Sequence, residues 1–231
     1  MLPKTRFVRL TLVLFILGIS LACVIPSFGK PALTPTPDYQ QTAQASMSRL
    51  GLPTDTGHFV LYHATFTIDL ANHPIAMYKP FNPDIIPDLV ASDFVISTDI
   101  SSNSDGLSDC GIWIRSDDRL EKGDRYDVIL GRDIDKPGMV SFSYFLNGKY
   151  NKLLTQIVSG TALPVAKNGV TNQMVVSAVG NKFDVYINGE LEGSYRDYAK
   201  KLSSGRFAFE AWQNSGTTTC TFKNTWVWLY K

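Results

Sequence analysis

An all-β fold, an antiparallel β-sandwich or jelly roll, is what this sequence predicts, and three observations predict it. Apolar and polar residues alternate at period two, most clearly in Lys182-Phe183-Asp184-Val185-Tyr186-Ile187, where Phe183, Val185 and Ile187 share one face. Two-residue turns that accept positive φ, Asn147-Gly148, Gly180-Asn181 and Asn188-Gly189, separate such segments and mark three hairpins. Composition agrees: 17 Gly, 12 Pro and 12% aromatic residues, with only four Glu (Glu121, Glu190, Glu192, Glu210), favour strands and turns over long helices.

At the N-terminal end, Lys4, Arg6 and Arg9 precede an apolar run from Leu10 to Ala22. Its length suits a signal-peptide core and falls short of the ~20 residues that span a bilayer, so residues 1–22 are expected to direct export. The run closes on Ile19-Ser20-Leu21-Ala22-Cys23, which resembles the lipobox of bacterial lipoproteins, with Ser20 where Leu is usual. The resemblance implies that Cys23 becomes the lipid-modified N-terminus and that the rest lies outside the cytoplasm, anchored to a membrane. Each buried acyl methylene would contribute ~0.8 kcal/mol. An ordinary cleaved signal peptide and an uncleaved anchor are the competing readings. Residues 23–57 carry Pro26, Pro31, Pro35, Pro37 and Pro53 among Thr, Ser, Gln and Ala, and read as a tether. Within it, Gln40 to Leu50 suits a short helix, though its polar composition gives it little to stabilise it alone.

The body, residues 58–231, then reads as consecutive strands near 58–68, 93–101, 111–116, 125–132, 139–146, 151–157, 172–179, 182–187, 190–196, 205–212 and 219–229. About 170 residues bury roughly 70% of their unfolded surface, enough for a two-sheet core without metal or cofactor. Cys110 and Cys220 both flank strand-like segments, and in an exported protein such a pair is expected to form a disulfide. Closing a loop of about 110 residues would stabilise the fold by ~4–5 kcal/mol. Two buried free thiols are the alternative.

The succession Asn181 to Leu191, then Gly205-Arg206-Phe207-Ala208-Phe209, then Phe222-Lys223-Asn224-Thr225-Trp226-Val227 resembles the closing strands of concanavalin A-like lectin/glucanase jelly rolls. Asp93-Phe94-Val95-Ile96 and Cys110-Gly111-Ile112-Trp113-Ile114-Arg115 resemble the front half of the same modules, so the likeness spans roughly residues 58–231. It looks closest to laminin G-like and 3-keto-disaccharide hydrolase-like modules. Lys223, where these modules often carry an acid, and the Pro-rich stretch 74–90 depart from the pattern. The resemblance implies a fold and leaves function to the site.

Charge narrows the partners. The chain has 22 Lys+Arg against 21 Asp+Glu with no dense basic run, so nucleic acid is not an expected partner. Losing residues 1–22 removes Lys4, Arg6 and Arg9 and takes the formal net charge from +1 to −2. Glycosidases on this fold usually carry two carboxylates at same-face spacing along one strand, as in Glu-x-Asp-x-Glu, and that motif is absent. Glu190 and Glu192 share a strand face but follow a turn, which suits a solvated edge. Asp117, Asp118, Asp124 and Asp127 cluster around one loop. Ser101 and Ile112 stand where an EF-hand beginning at Ser101 needs its first and twelfth ligands, so that motif fails. Apart from calcium held at loops, with Asp99, Asp105 and Asp109 the first ligands to test, no cofactor is implied. Neither a Gly-x-Ser-x-Gly elbow nor a phosphate-binding glycine loop is present.

Aromatics give the functional hint, because sugar rings stack on such planes. Trp212 alternates away from Phe207, Phe209 and Ala211 and is followed by Gln213 and Asn214, amides suited to hydroxyl recognition. Trp113, Trp212, Gln213 and Asn214 are the expected ligand contacts. The sequence therefore points to an exported, membrane-tethered lipoprotein whose jelly roll binds a glycan or other surface ligand without catalysis. Two alternatives stand beside it: a glycoside hydrolase of the 3-keto-disaccharide hydrolase type, and an adhesive envelope module that binds protein.

Overall fold

The computed structural model describes residues 38–71, 76–80, 89–132, 138–158, 168–199, 201–214 and 216–231. The signal segment, Cys23 and the first part of the expected tether lie outside the described residues. One helix, α1 (Tyr39–Arg49), precedes twelve strands: β1 (His58–Asp69), β2 (Ala76–Pro80), β3 (Phe94–Ser104), β4 (Ser108–Ser116), β5 (Arg125–Arg132), β6 (Met139–Leu146), β7 (Lys149–Val158), β8 (Thr171–Val179), β9 (Lys182–Ile187), β10 (Glu190–Arg196), β11 (Arg206–Gln213) and β12 (Thr218–Leu229). They form two six-stranded sheets, ordered β1-β12-β3-β8-β9-β10 (sheet A) and β2-β11-β4-β5-β6-β7 (sheet B), with every neighbouring pair antiparallel.

The period-two faces meet between the sheets. Phe183, Val185 and Ile187 from β9, Phe207 and Phe209 from β11, and Tyr126, Val128 and Phe142 from β5 and β6 are all buried in one cluster. Each large side chain so buried contributes ~1.5–3 kcal/mol of hydrophobic stabilisation. Cys110 on β4 and Cys220 on β12 are joined by the expected disulfide, which ties sheet B to sheet A across this core with Cα atoms 5.7 Å apart. Asn147-Gly148 and Asn188-Gly189 take positive φ at both positions (51° and 72°, 51° and 90°), the condition for a tight turn matching the strand twist.

Two features differ from the expectation. The compact unit begins at Asp38, so residues 38–57, assigned to the tether, belong to the body. Asp38 caps α1 by accepting the Gln41 amide at 2.9 Å. Ala43 and Met47 then pack, fully buried, on Val95, Val175, Trp226 and Trp228 of sheet A. The helix is stable because it is not alone: its small apolar stripe covers the outer face of the sheet. Trp228 Nε1 donates to the Thr56 carbonyl at 2.9 Å and fastens the connection that follows. The second difference is β2, inside the Pro-rich stretch 74–90, where no strand is among those expected. It is an edge strand paired only with β11, and its last residue is Pro80, placed where a missing N–H is tolerated.

Candidate functional site

Alternation decides what sheet B turns outward. On β4, Cys110, Ile112 and Ile114 enter the core, so Asp109, Gly111 and Trp113 face away from it. By the same rule β5 turns out Arg125 and Asp127, β6 Ser141, Ser143 and Phe145, and β11 Ala208, Glu210 and Trp212. The register sets Trp113 opposite Ala208 and Asp127, Glu210 opposite Gly111, and Trp212 opposite Asp109. Glycine at 111 leaves no side chain on β4 between the acid of β11 and that of β5.

These outward residues are not solvated. Trp113 is 3% exposed, Arg125 and Asp127 5% and Glu210 9%, values expected of a core and not of polar side chains on a sheet surface. Trp113 Nε1 donates to Glu210 Oε2, and the Asp127 and Glu210 carboxyls are hydrogen-bonded to each other. Burial, with Glu210 in contact, disfavours a charge on Asp127. The Arg125 guanidinium lies 3.9 Å from the Trp113 ring centroid and 4.0 Å from that of Phe145, and Nη1 donates to the Glu121 carbonyl at 3.3 Å.

Electrostatics follow from this burial. Desolvation raises the Asp109 carboxyl to about 7, with the Glu210 charge adding to the effect. Desolvation holds Asp127 well above the usual carboxylate range, helped by the charge and hydrogen bond of Glu210 and opposed by Arg125. At neutral pH the face therefore offers a protonated carboxyl, able to donate, beside acceptor oxygens and a guanidinium. Asp109 Oδ1, Asp127 Oδ1 and Arg125 Nε are buried without a hydrogen-bond partner. Each such atom costs ~1–3 kcal/mol until something satisfies it.

The expected contacts separate on this geometry. Trp113 and Trp212 share the face, Trp113 buried and Trp212 partly exposed. Gln213 alternates to the other side, buried, with Nε2 donating to the Leu70 carbonyl at 3.3 Å. Asn214 is exposed beyond the strand end, its amide bonded to the Leu107 carbonyl at 3.0 Å. Of the four loop acids only Asp127 belongs to the face. Asp117 is occupied by Arg119 and the Asp124 amide, Asp118 pairs with Arg206 at 3.1 Å, and Asp124 accepts the Asn147 amide and the Tyr144 hydroxyl.

Asp99 lies on sheet A and accepts from Asn224 Nδ2 at 2.8 Å, Asp105 accepts the Thr217 amide in the β3–β4 turn, and Asp109 lies on the far face of sheet B. They do not converge, and among the described residues no three His, Cys, Asp or Glu side chains are grouped to hold a metal ion. Arg125 and Glu210 were not among the expected contacts. Their signal was the same alternation that singled out Trp212.

No protein-family model matches the sequence, and no curated protein matches it. Solved structures do. The carbohydrate-binding module CBM66 from Bacillus subtilis is 18% identical with a TM-score of 0.53, over 74% of this chain and 95% of that one. The chain has the concanavalin A-like jelly-roll fold. A Bacillus licheniformis β-glucanase is 10% identical (TM-score 0.46, 73% of this chain and 99% of that one). The κ-carrageenase from Pseudoalteromonas carrageenovora, complexed with an oligotetrasaccharide of κ-carrageenan, is 12% identical (TM-score 0.45, 62% and 66%). On this jelly roll the acids come from three strands, β4, β5 and β11, and not from one.

Proposed function

We propose that this jelly roll is an exported, lipid-tethered domain that binds a glycan through the outer face of sheet B without cleaving it. The observation that carries the reading is the set of buried, unpartnered polar atoms of Asp109, Asp127 and Arg125 beside the Trp113 ring. Hydroxyl groups on adjacent sugar carbons, each both donor and acceptor, would satisfy carboxylate, carboxyl and guanidinium together, while a ring face lies on the partly exposed indole of Trp212. CBM66, a carbohydrate-binding module, supports the reading through shared fold. A glycan-array screen of the full chain in mild detergent, repeated with Asp127→Asn, tests it. Saturable binding of one glycan class, weakened in the variant, is expected; equal binding by both proteins would refute the site. The same screen with chelator decides whether calcium at the acidic loops takes part.

Hydrolysis is the second reading, and the adjacent carboxyls of Asp127 and Glu210 favour it. Their direct contact argues against it: displacement by two carboxylates needs the pair ~5 Å or more apart, with the sugar between. Incubation with keto-disaccharides and β-glucans should give no product above background, and product formation lost in Glu210→Gln would reverse the order of the two readings. Attachment to a membrane would rest on Cys23, which closes the apolar run from Leu10 to Ala22. Replacing Cys23 with Ser should move the protein from the membrane to the soluble exported fraction; unchanged membrane association would exclude the lipid.

A further inference from the structure

The side of the sandwich between edge strands β7 and β10 holds a cleft of about 560 Å³ that shares no residue with the carboxylate face. Its inner wall carries the buried Tyr144 and the half-buried Tyr195. Lys201 Nζ lies 4.2 Å from the Tyr144 ring centroid, and Lys152 stands opposite Tyr144 in the β6–β7 register, on the same face of the sheet. Both lysines are exposed, and among the described residues neither has a carboxylate within ion-pair distance.

Asp197 also lines the cleft, but its carboxylate is spent. Oδ1 accepts the Ala199 amide at 3.0 Å, and Oδ2 accepts the Lys201 amide at 2.8 Å and the Tyr126 hydroxyl. Burial works against its charge, yet these hydrogen bonds outweigh it and hold Asp197 below the usual carboxylate range. The turn is thereby fixed, and it presents Tyr198, 84% exposed, at the rim. Tyr198 is thus held out in water on a cleft whose lining also carries Lys152, Arg196 and Lys201.

We propose that this cleft is a second saccharide subsite, selective for sugars bearing an anionic group. Lys152 and Lys201 neutralise the carboxylate or sulfate, and Tyr198 offers the ring face. Two lysines match one anion and provide no run of phosphate contacts of the kind a nucleic acid needs. The inference takes from the proposed function only that the ligand is a saccharide, and its surface is a different one, so the two stand or fall separately.

Affinity electrophoresis of the full chain in mild detergent against dextran sulfate, neutral dextran and polygalacturonate tests it. Dextran and its sulfate share a backbone, so their difference reads charge alone. Dextran sulfate and polygalacturonate should bind, neutral dextran should not retard the protein through this cleft, and raising salt to about 300 mM should weaken the binding by screening. Lys152→Gln with Lys201→Gln should weaken it about 5–10-fold, as two exposed ion pairs would. Tyr198→Ala, at an exposed position where folding is not at risk, should weaken it about 3–5-fold, while Lys223→Gln, an exposed lysine on sheet A, leaves it unchanged. Wild-type retardation by the lysine variant and by Tyr198→Ala would overturn the proposal. So would loss in Asp127→Asn alone, or preferential binding of duplex DNA or anionic phospholipid vesicles.

Discussion

Asp109 gives the sharpest test of the carboxylate face, because its effect is confined to a pH window. Burial raises its carboxyl from 3.8 to about 7. Below pH 3.8 both folded and unfolded chains hold the proton; between 3.8 and 7 the unfolded chain loses it while the folded chain keeps it. Folding then takes up a proton, so stability falls as pH rises through this interval and levels off above it. A displacement of about 3 units corresponds to about 4 kcal/mol at the upper limit. Asp109→Asn replaces the titrating group with a neutral amide of the same shape. Near pH 4 the two proteins should differ only by a constant hydrogen-bonding difference. By pH 8 the variant should gain up to about 4 kcal/mol relative to wild type, or ~10 °C in Tm for a chain of this size. Asp127 slopes the same way but is common to both proteins, so the difference between them isolates Asp109. Thermal unfolding followed by far-UV circular dichroism at pH 4, 6 and 8 reads it. A Tm difference independent of pH would refute the burial of this carboxyl, and with it the poorly hydrated face.

Further outcomes follow from the packing. Replacing Cys110 and Cys220 by Ser frees a loop of 110 residues and should cost about 5 kcal/mol by loop-closure entropy, measured as a lower denaturant midpoint; an unchanged midpoint would show that the two sheets need no tie. Met47→Ala empties the seat of α1 on sheet A and should cost ~2–4 kcal/mol, whereas a residue in a loose spacer would show no change in urea unfolding. At Gly111 a methyl group would meet the Val128 carbonyl oxygen at 2.5 Å and Ile129 Cγ2 at 2.6 Å, so Gly111→Ala should lower stability by ~1–3 kcal/mol; a neutral effect would mean that β4 and β5 yield easily at the centre of the face.

The strands were legible because a two-sheet core repeats one simple demand, an apolar residue at every second position, and β9 and β11 state it in six and eight residues. Ala76–Pro80 is too short to show a period, and it is held by a single neighbour, β11, far along the chain. Helix α1 looked unstable for a related reason: its apolar stripe is only Ala43 and Met47, and the partner that makes it sufficient is the outer face of sheet A. For the site, alternation singled out Trp212 and would equally have found Glu210 and Asp127, whereas the face that Trp212 shares with Trp113 follows from the pairing of β11 with β4. The search along a single strand looked past both acids. Which acids meet depends on strand order, and β11 is brought beside β4, one strand from β5, by contacts that local sequence does not encode.

The place of β12 also sets the timetable of folding. It fills the space between β1 and β3, pairing residues 218–229 with residues 58–69 on one side and 94–104 on the other. Until that strand arrives, β1 has no hydrogen-bonded neighbour in its sheet, and β3 is an edge held only by β8. Pairings of such long sequence separation are slow to form, because the chain must close its largest loops before they reward it. Sheet A therefore cannot be completed from its first strand forward: β1 joins it only once β12 is in place, whereas β8, β9 and β10 can pair before then.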